Sequence, residues 1–256
     1  MSAGPDLTPS LQALLDGPAR WHTIDLVEEV GSTNDVAVQR IREGFPPGLV
    51  VVAERQTAGR GRRGRTWESA PPGATSLLVT ATSVAPAIAT LVPLAAGLAV
   101  RAAARRVGAR VDLKWPNDAV VGASKCAGVL VEYHEGVVAV GIGIDVDWRG
   151  ADRSGQRMAW TSLAEAAGRD VDRLEVLAHL LGGLDTWLND VERDPQTMLA
   201  LYRQACVTIG REVVVTTPSD TEVRGRATVI EATGALVVET ADGRVAIDAG
   251  DVTHLR

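Results

Sequence analysis

The segment 128–147, GVLVEYHEGVVAVGIGIDVD, constrains the fold more than any other part of the sequence. It holds two runs rich in β-branched residues, separated by residues 134–136, and this pattern predicts a β-hairpin. Apolar runs at 49–53 and 77–81 indicate further strands, whereas the alanine-rich stretch from about 85 to 107 has the spacing of a helix. The core therefore belongs to the α/β or the α+β class.

The pattern changes twice in the second half of the chain. Between 161 and 206, apolar residues recur at helical spacing, which predicts a helical layer over the sheet. From Thr208 onward, short apolar runs alternate with turn-forming proline and glycine, which predicts a small β-barrel of about fifty residues. We therefore divide the chain into an N-terminal extension at 1–20, a main domain at 21–207 and a C-terminal domain at 208–256.

The extension has one short apolar patch at 11–15, which is enough for a turn or two of helix but too little for a DNA-binding winged helix. The 256 residues carry a net charge of -6, which argues against a general polyanion-binding surface. No apolar run reaches the roughly 18 residues of a membrane span, and no secretion signal is recognisable. Cys126 and Cys206 are far apart, which favours a reduced compartment without a structural metal. We expect a cytoplasmic protein that binds neither DNA nor membranes.

Residues 56–67, QTAGRGRRGRTW, form the sharpest local motif, with three glycines and four arginines directly after a predicted strand. Glycine lets the backbone approach a ligand closely, and the arginine fork suits carboxylate and phosphate oxygens. Taken alone, the pattern is more typical of a disordered RNA-binding segment or a solvated basic face. Its place between strands of an acidic globular domain instead favours a mobile loop that closes over a charged substrate.

Two further segments place polar side chains near strand ends. Residues 113–118, LKWPND, end a strand with a proline and an Asx turn, so that Asn117 and Asp118 project from it; an ordinary turn with a buried tryptophan would give the same pattern. Lys125 precedes small residues that leave space beside it. A strand-edge lysine is most often a solvated residue that blocks edge pairing. The several cations near one sheet instead indicate that a polyanion is neutralised there.

Two short motifs have both a structural and a ligand-binding interpretation. The glycines of residues 141–145, GIGID, leave a central strand without side chains, so that either a flat ligand or a closely packed helix can lie against it. Residues 31–35, GSTND, offer N-terminal caps to the helix that follows. The same hydroxyl and amide groups also suit a neutral polar ligand such as a cyclic urea, which needs donors and acceptors in an apolar pocket.

Taken together and in this order, GSTN, QTAGRGRRGRTW, LKWPND, KCAGVLVE, GIGIDV and TSL resemble the bacterial biotin protein ligases. The resemblance covers about residues 21–256, without the N-terminal DNA-binding domain that some of these enzymes carry. It implies an α+β fold, in which a mixed β-sheet flanked by helices, related to class II aminoacyl-tRNA synthetases and lipoate ligases, is followed by a small SH3-like β-barrel. It also implies that the protein forms biotinyl-5'-AMP from biotin and ATP and transfers biotin to a lysine of a biotin carboxyl carrier protein.

The resemblance implies a role for each residue that matches a motif. The residues expected to bind biotin are Ser32, Thr33, Asn34, Gln56, Gly59, Arg60, Gly61, Arg62, Lys125, Gly128, Gly141 and Gly143. Those expected to bind ATP are Arg62, Arg65, Trp67, Asn117, Lys125 and Asp145. Lys125 and Arg62 are the expected catalytic cations, because charge develops on the transferred phosphorus. Asp118 is expected to orient or deprotonate the acceptor amine, which must be neutral to attack.

One residue departs from the family pattern. Asp145 stands where the family commonly has asparagine in its GIGIN motif. A carboxylate there adds negative charge beside the nucleotide phosphates, so either Asp145 is a ligand of Mg²⁺ or ATP binding is weakened. Cys126 is expected to be a packing residue, because the acyl intermediate is carried on AMP and not on the enzyme.

Two other functions stay open at this point. A lipoate or octanoate protein ligase would use similar acyl chemistry with a longer apolar pocket. A biotin-binding regulatory protein would bind biotin without consuming ATP. The chain is expected to act as a monomer or a homodimer.

Overall fold

The computed structural model describes residues 20–68, 70–71, 73–152 and 159–255. The predicted helical patch at 11–15 lies outside the described residues. Within these ranges, the strands form one seven-stranded and one five-stranded sheet. None of the helices there is long and apolar enough to cross a membrane.

The seven-stranded main sheet contains strands from the first part of the chain. They are β1 (Thr23–Val30), β2 (Leu49–Gln56), β3 (Thr75–Val84), β4 (Asp112–Lys114), β5 (Asp118–Val121), β6 (Ser124–His134) and β7 (Val137–Asp147). Their order is β1-β2-β3-β7-β6-β5-β4, with β1 parallel to β2 and all other neighbours antiparallel. The mixed sheet that the resemblance implied is confirmed.

The predicted hairpin of residues 128–147 forms the end of β6 and all of β7. Its connection is shorter than expected, because His134 already pairs with Val137 and only Glu135 and Gly136 make the turn. Both turn residues have positive φ, at 47° and 83°. Two-residue turns with positive φ match the twist of the strands that they join.

Five α-helices lie within the described ranges. They are α1 (Thr33–Arg42), α2 (Val92–Arg106), α3 (Leu163–Ala167), α4 (Arg173–Arg193) and α5 (Pro195–Ala205). Helix α2 begins later than the predicted stretch from 85. Pro93 lies in its first turn, where the missing N–H group costs no hydrogen bond, and a short 3₁₀ turn at Ala89–Leu91 precedes it.

The main sheet is covered differently on its two faces. On β2, Val50 and Val52 belong to the large core that the sheet forms with α2, α4 and α5. The alternate residues Leu49 and Val51 pack against Ala37 of α1 on the opposite face. The helical layer therefore occupies one face, and α1 covers only a part of the other.

The C-terminal sheet contains β8 (Glu212–Thr216), β9 (Glu222–Ile230), β10 (Leu236–Thr240), β11 (Gly243–Ile247) and β12 (Asp251–His254). Its order is β11-β10-β9-β8-β12, entirely antiparallel, as expected for the small SH3-like domain. Trp115 joins the two parts: its Nε1 donates to Gly234 O at 3.0 Å and its backbone N–H donates to Thr208 Oγ1 at 3.1 Å. The boundary between 207 and 208 remains a prediction.

Candidate active site

A cleft of about 740 Å³, measured out to its open mouth, lies on the face of the main sheet opposite the helical layer. Strands β6 and β7 form its floor, the start of α1 closes one end, and the arginine segment lies over it. Of the residues predicted to bind or catalyse, all but Gly59 and Asp145 line this cleft. The lining set contains Ser32, Thr33, Asn34, Gln56, Arg60, Gly61, Arg62, Arg65, Trp67, Asn117, Asp118, Lys125, Gly128, Gly141 and Gly143.

The arginine segment is folded as a hairpin of residues 59–67, which we call the arginine hairpin. Gly61 N donates to Arg65 O at 2.6 Å, and Trp67 N donates to Gly59 O at 2.8 Å. Its tip is the short turn Arg62–Gly64. The segment predicted as a loop that closes over a charged substrate lies over the cleft in this hairpin conformation.

The glycines of the GIGID motif make room for side chains of the cleft wall. A Cβ placed on Gly143 would lie 2.3 Å from Trp67 Cε2, and one on Gly128 would lie 2.8 Å from Trp67 Cζ3. A Cβ on Gly141 would lie 2.1 Å from Asn34 Oδ1. The strand therefore receives the amide of Asn34 from the first turn of α1, as in the packed-helix interpretation, and the indole of Trp67, which the sequence did not place there.

The end of the cleft near α1 is a network of neutral polar groups, of which Thr33 and Asn34 are buried and Gln56 is half-buried, and the carboxylate of Glu132 bonds to it through Asn34. Gln56 Oε1 accepts from Thr33 N at 2.7 Å and from Thr33 Oγ1 at 3.1 Å. Thr80 Oγ1 lies 2.6 Å from Asn34 Oδ1, to which it can donate. Ser32 is the N-cap residue of α1, but its side chain makes no capping hydrogen bond. The side chains of Thr33 and Asn34 thus bond to neighbouring strands at the cleft, and Ser32 does not cap the helix with its side chain.

Lys125 lies in the middle of the cleft with a carboxylate and two aromatic rings around it. Its Nζ is 2.5 Å from Asp118 Oδ1, and the lysine side chain is only 15% exposed. The same nitrogen lies 5.3 Å from the ring centroid of Trp67 and 5.8 Å from that of Trp160. Lys125 pairs with Val120 of β5 on one side and bridges to Trp160 on the other, so it is not a solvated edge residue.

Arg60 and Arg62 of the arginine hairpin have different partners. Arg60 Nη2 contacts Asp35 at 2.6 Å and Glu132 at 2.9 Å near the mouth of the cleft. Arg62 Nη1 donates to Asn117 Oδ1 at 3.4 Å and to the backbone carbonyl of Gly250 at 3.2 Å. Burial lowers the pKa of the Arg62 guanidinium, which marks it as a partly desolvated cation.

Arg63 and Arg65 contact the C-terminal sheet. Arg65 pairs with Asp251 through its Nη2. Arg63 pairs with Asp220 and lies 3.4 Å from Asp251. Of these two arginines, Arg65 also lines the cleft, whereas Arg63 does not.

Two of the predicted site residues do not reach the cleft. Asp145 is completely buried, and its Oδ1 accepts from Ser76 Oγ at 3.2 Å. A Cβ on Gly59 would lie 2.5 Å from Trp67 O, so Gly59 serves the backbone of the hairpin. Among the described residues, no group of three or more His, Cys, Asp or Glu could hold a metal ion. The predicted contacts of Asp145 with ATP and Mg²⁺ therefore find no support in this geometry.

Several residues at the site were not predicted. Thr80 pairs in register with Gly141, which brings its hydroxyl to the cleft face of the sheet. Glu132 Oε2 accepts from Asn34 Nδ2 at 2.7 Å. Trp160 packs edge-to-face on Trp67 with 5.5 Å between ring centroids. Glu132 offered a signal, as a charged residue within a predicted strand, but Thr80 and Trp160 become apparent only once strand register and loop path are known.

The sequence matches two family descriptions. The "Biotin/lipoate A/B protein ligase family" matches residues 26–147, and the "Biotin protein ligase C terminal domain" matches residues 208–255. The first match contains the main sheet, and the second contains the C-terminal sheet from β8 to β12.

Relatives and solved structures agree with this match. The biotin acetyl-CoA-carboxylase ligase of Mycobacterium tuberculosis is 32% identical over 250 residues, which cover 95% of this chain and 93% of the relative. The bifunctional ligase/repressor BirA of Escherichia coli is 32% identical over 226 residues, which cover 85% of this chain and 69% of the relative. The biotin protein ligase of Aquifex aeolicus in complex with biotin and ATP superimposes with a TM-score of 0.78 at 28% identity, covering 92% of this chain and 100% of that one. By fold, motif order and sequence identity, the chain belongs to the biotin protein ligase family.

Proposed function

We propose that this chain is an ATP-dependent ligase that forms biotinyl-5'-AMP and transfers biotin to a lysine of a biotin carboxyl carrier protein. One observation carries the proposal: a single cleft joins a largely buried network of neutral donors and acceptors to a set of cations. Such a cleft suits a substrate with a neutral polar ring at one end and a carboxylate at the other. The similar ligase structure that contains biotin and ATP supports the same assignment.

The neutral end of the cleft suits the ureido ring of biotin. A cyclic urea presents one carbonyl acceptor and two N–H donors. The network of Thr33, Asn34 and Gln56 contains both kinds of group in a largely buried setting, with Ser32 beside them at 3% exposure. Buried polar sites discriminate well against ligands that leave their donors and acceptors unpaired.

The cationic middle of the cleft suits the activation step. A carboxylate oxygen of biotin attacks the α-phosphorus of ATP, the bond from that phosphorus to the bridging oxygen breaks, and pyrophosphate leaves. Lys125 and Arg62 line this part of the cleft and can stabilise the negative charge that gathers on the phosphoryl oxygens. The arginine hairpin above them would limit the access of water to the mixed anhydride.

Transfer to the acceptor requires a neutral amine. The acceptor nitrogen attacks the acyl carbon, the acyl–phosphate C–O bond breaks, and AMP leaves. Asp118 is the carboxylate closest to Lys125, so an arriving ammonium group finds an anion next to the reacting carbon. We assign Asp118 the role of orienting that amine or accepting its proton.

Magnesium is expected to enter with ATP. Mg²⁺ is commonly held by one or two carboxylates together with substrate phosphates and water. The described residues do not form a metal site of their own, and no step above depends on one.

Transfer of lipoate or octanoate is the nearest competing activity. An apolar acyl chain offers no hydrogen-bonding group to the amide and hydroxyl groups of Asn34, Gln56 and Thr33, which would then bond only to protein neighbours, whereas a ureido ring can bond to them. The polar network therefore favours biotin. The choice between monomer and homodimer remains a prediction.

The purified protein should modify a biotin carboxyl carrier domain only when biotin and MgATP are both present. Mass spectrometry of the acceptor, with each component omitted in turn, tests this. Parallel reactions with lipoate and octanoate provide the comparison. An acceptor that gains lipoyl but not biotinyl mass would contradict the proposal, and so would tight biotin binding without release of pyrophosphate.

A further inference from the structure

Glu132 is a carboxylate of β6 that lies next to the neutral end of the cleft. Its Oε2 accepts from Asn34 Nδ2 at 2.7 Å, and its side chain is 23% exposed. Asn34, in the first turn of α1, is buried and lines the cleft, whereas Glu132 does not line it. Glu132 therefore acts on a ligand in the cleft through the residues that it contacts.

The side-chain amide of Asn34 has two ends of nearly the same shape and opposite hydrogen-bonding character. The nitrogen donates and the oxygen accepts, so a rotation by 180° exchanges donor and acceptor. An ionised carboxylate can only accept, and the same holds for the backbone carbonyl of Leu130, which lies 3.4 Å from Asn34 Nδ2. Both neighbours on this side of Asn34 therefore require its nitrogen.

The oxygen end of Asn34 lies at the floor of the cleft. Thr80 Oγ1 donates to Asn34 Oδ1 at 2.6 Å, and a Cβ on Gly141 would lie 2.1 Å from the same oxygen. A hydroxyl group either donates or accepts, so Thr80 would bond to either end of the amide. The contact with Leu130 is longer than an ordinary hydrogen bond. Glu132 is thus the stronger determinant of which end of Asn34 lies on the floor.

We propose that Glu132 is a positioning residue, which orients the amide of Asn34 so that an acceptor oxygen, and not a donor nitrogen, meets a ring N–H of the substrate. This role rests on the proposed function, because the ureido ring of biotin supplies that N–H group. The oxygen has two lone pairs, of which Thr80 uses one. A rotated amide would instead place a donor against a donor.

The test is the Kd for biotin, measured by calorimetry without ATP. Glu132→Ala should weaken binding by about 3–10-fold, the loss typical of one neutral hydrogen bond. Glu132→Gln should bind within about twofold of the wild type, because its side-chain oxygen can take the place of the carboxylate oxygen and at least half of the amides stay correctly oriented. Glu132→Met keeps the length of the side chain without its acceptor and should match Glu132→Ala, which provides a second test if the alanine variant does not fold.

Arg60 also contacts Glu132 Oε2, at 2.9 Å, so a double-mutant cycle must separate the two routes. In an Asn34→Ala background, Glu132→Ala should change the Kd for biotin by less than about twofold, since the amide to be oriented is gone. In an Arg60→Ala background, it should still weaken binding by about 3–10-fold. The reverse pattern would show that Glu132 acts through Arg60 and would overturn the proposal.

Glu54→Ala is the matched control. Glu54 is also a carboxylate on a strand of the main sheet, but it pairs with Arg173 of α4 and does not line the cleft. This variant should bind biotin as the wild type does. Wild-type affinity in Glu132→Ala and Glu132→Met, or an equal loss in Glu54→Ala, would contradict the role of Glu132 while biotin binding by the wild type stands. A wild-type protein that does not bind biotin would overturn the proposed function together with this role.

Steady-state kinetics separate positioning from general damage. In biotin-dependent exchange between ATP and pyrophosphate, Glu132→Ala should raise the KM for biotin by about 3–10-fold. The KM for ATP and kcat should stay within about twofold, because Asn34 lies at the end of the cleft away from Lys125 and Arg62. A comparable change in all three constants would indicate a disturbed fold and contradict a positioning role.

Discussion

At the scale of single residues, the most informative arrangement is the one around Lys125. Without a ligand, its charge is balanced by Asp118 at 2.5 Å, and Trp67 and Trp160 shield it from solvent. A phosphate group arriving in the cleft would compete with Asp118 for the same ammonium group. The pair thus keeps a cation ready in a half-buried place where an isolated charge would be costly.

Replacing Lys125 by alanine should therefore slow the first half-reaction strongly. We expect kcat of biotin-dependent exchange between ATP and pyrophosphate to fall by about 10²–10³-fold, the usual loss when one preorganised electrostatic group is removed. Circular dichroism should show an intact fold. Arg224→Ala, which removes a cation of the C-terminal sheet outside the cleft, should exchange at the normal rate. Wild-type exchange by Lys125→Ala would refute the assignment.

At the scale of structural elements, the site depends on a strand that has glycine at two successive positions of its cleft face. Gly141 and Gly143 of β7 allow α1 and the arginine hairpin to place Asn34 and Trp67 directly on the sheet. The same strand packs Val140, Ile142 and Ile144 into the core on its other face. One strand therefore serves as core on one side and as cleft floor on the other.

This arrangement predicts a measurable difference between two glycine substitutions. In Gly143→Ala the new methyl group would lie 2.3 Å from the Trp67 ring, so we expect a loss of about 1–3 kcal/mol in the free energy of unfolding. Gly182→Ala in α4 meets no atom within 4 Å and should stabilise the protein by about 0.5–1 kcal/mol through helix propensity. Denaturant unfolding of both variants checks this. A Gly143→Ala protein as stable as the wild type would show that the indole is not fixed against β7.

At the scale of the whole molecule, sequence motifs predicted the sheet, the C-terminal domain and most of the cleft. They succeeded because residues such as Lys125 and Asn117 lie at strand ends within short motifs. Asp145 was expected in the cleft but is buried beside Ser76, since a motif does not reveal how deep a strand residue lies. Thr80 was missed because its position depends on pairing with a distant strand. Likewise, the sequence of the arginine hairpin does not reveal which of its arginines contacts the C-terminal sheet, as Arg63 does.

The junction of the two sheets predicts a dependence of stability on pH. His254 of β12 contacts Thr208 at 3.2 Å, and burial, together with the charges of Lys114 and Arg211, lowers its pKa to about 4. In the unfolded chain the pKa of His254 has its ordinary value near 6.5. The unfolded chain therefore binds a proton at His254 more strongly than the folded protein does. The stability that folding gains by keeping His254 neutral is complete above pH 6.5 and is lost as the pH falls toward 4.

His254→Gln keeps a hydrogen-bonding side chain without the titration. Its unfolding temperature should therefore fall less steeply than that of the wild type between about pH 6.5 and about pH 4. Thermal unfolding across this range gives the two slopes. Equal slopes would show that His254 does not contribute to the pH dependence of the unfolding temperature.

The hydrogen bond from Trp115 to Gly234 has a consequence for engineering this protein as two fragments. Trp115 is fully buried, and its indole N–H relies on a carbonyl beyond residue 208. A cut at 207 would leave the larger fragment with an exposed aromatic surface and a donor that water must satisfy. Fragments divided there should therefore tend to aggregate before they find each other, and a reporter built from them would need a solubilising fusion on the larger piece.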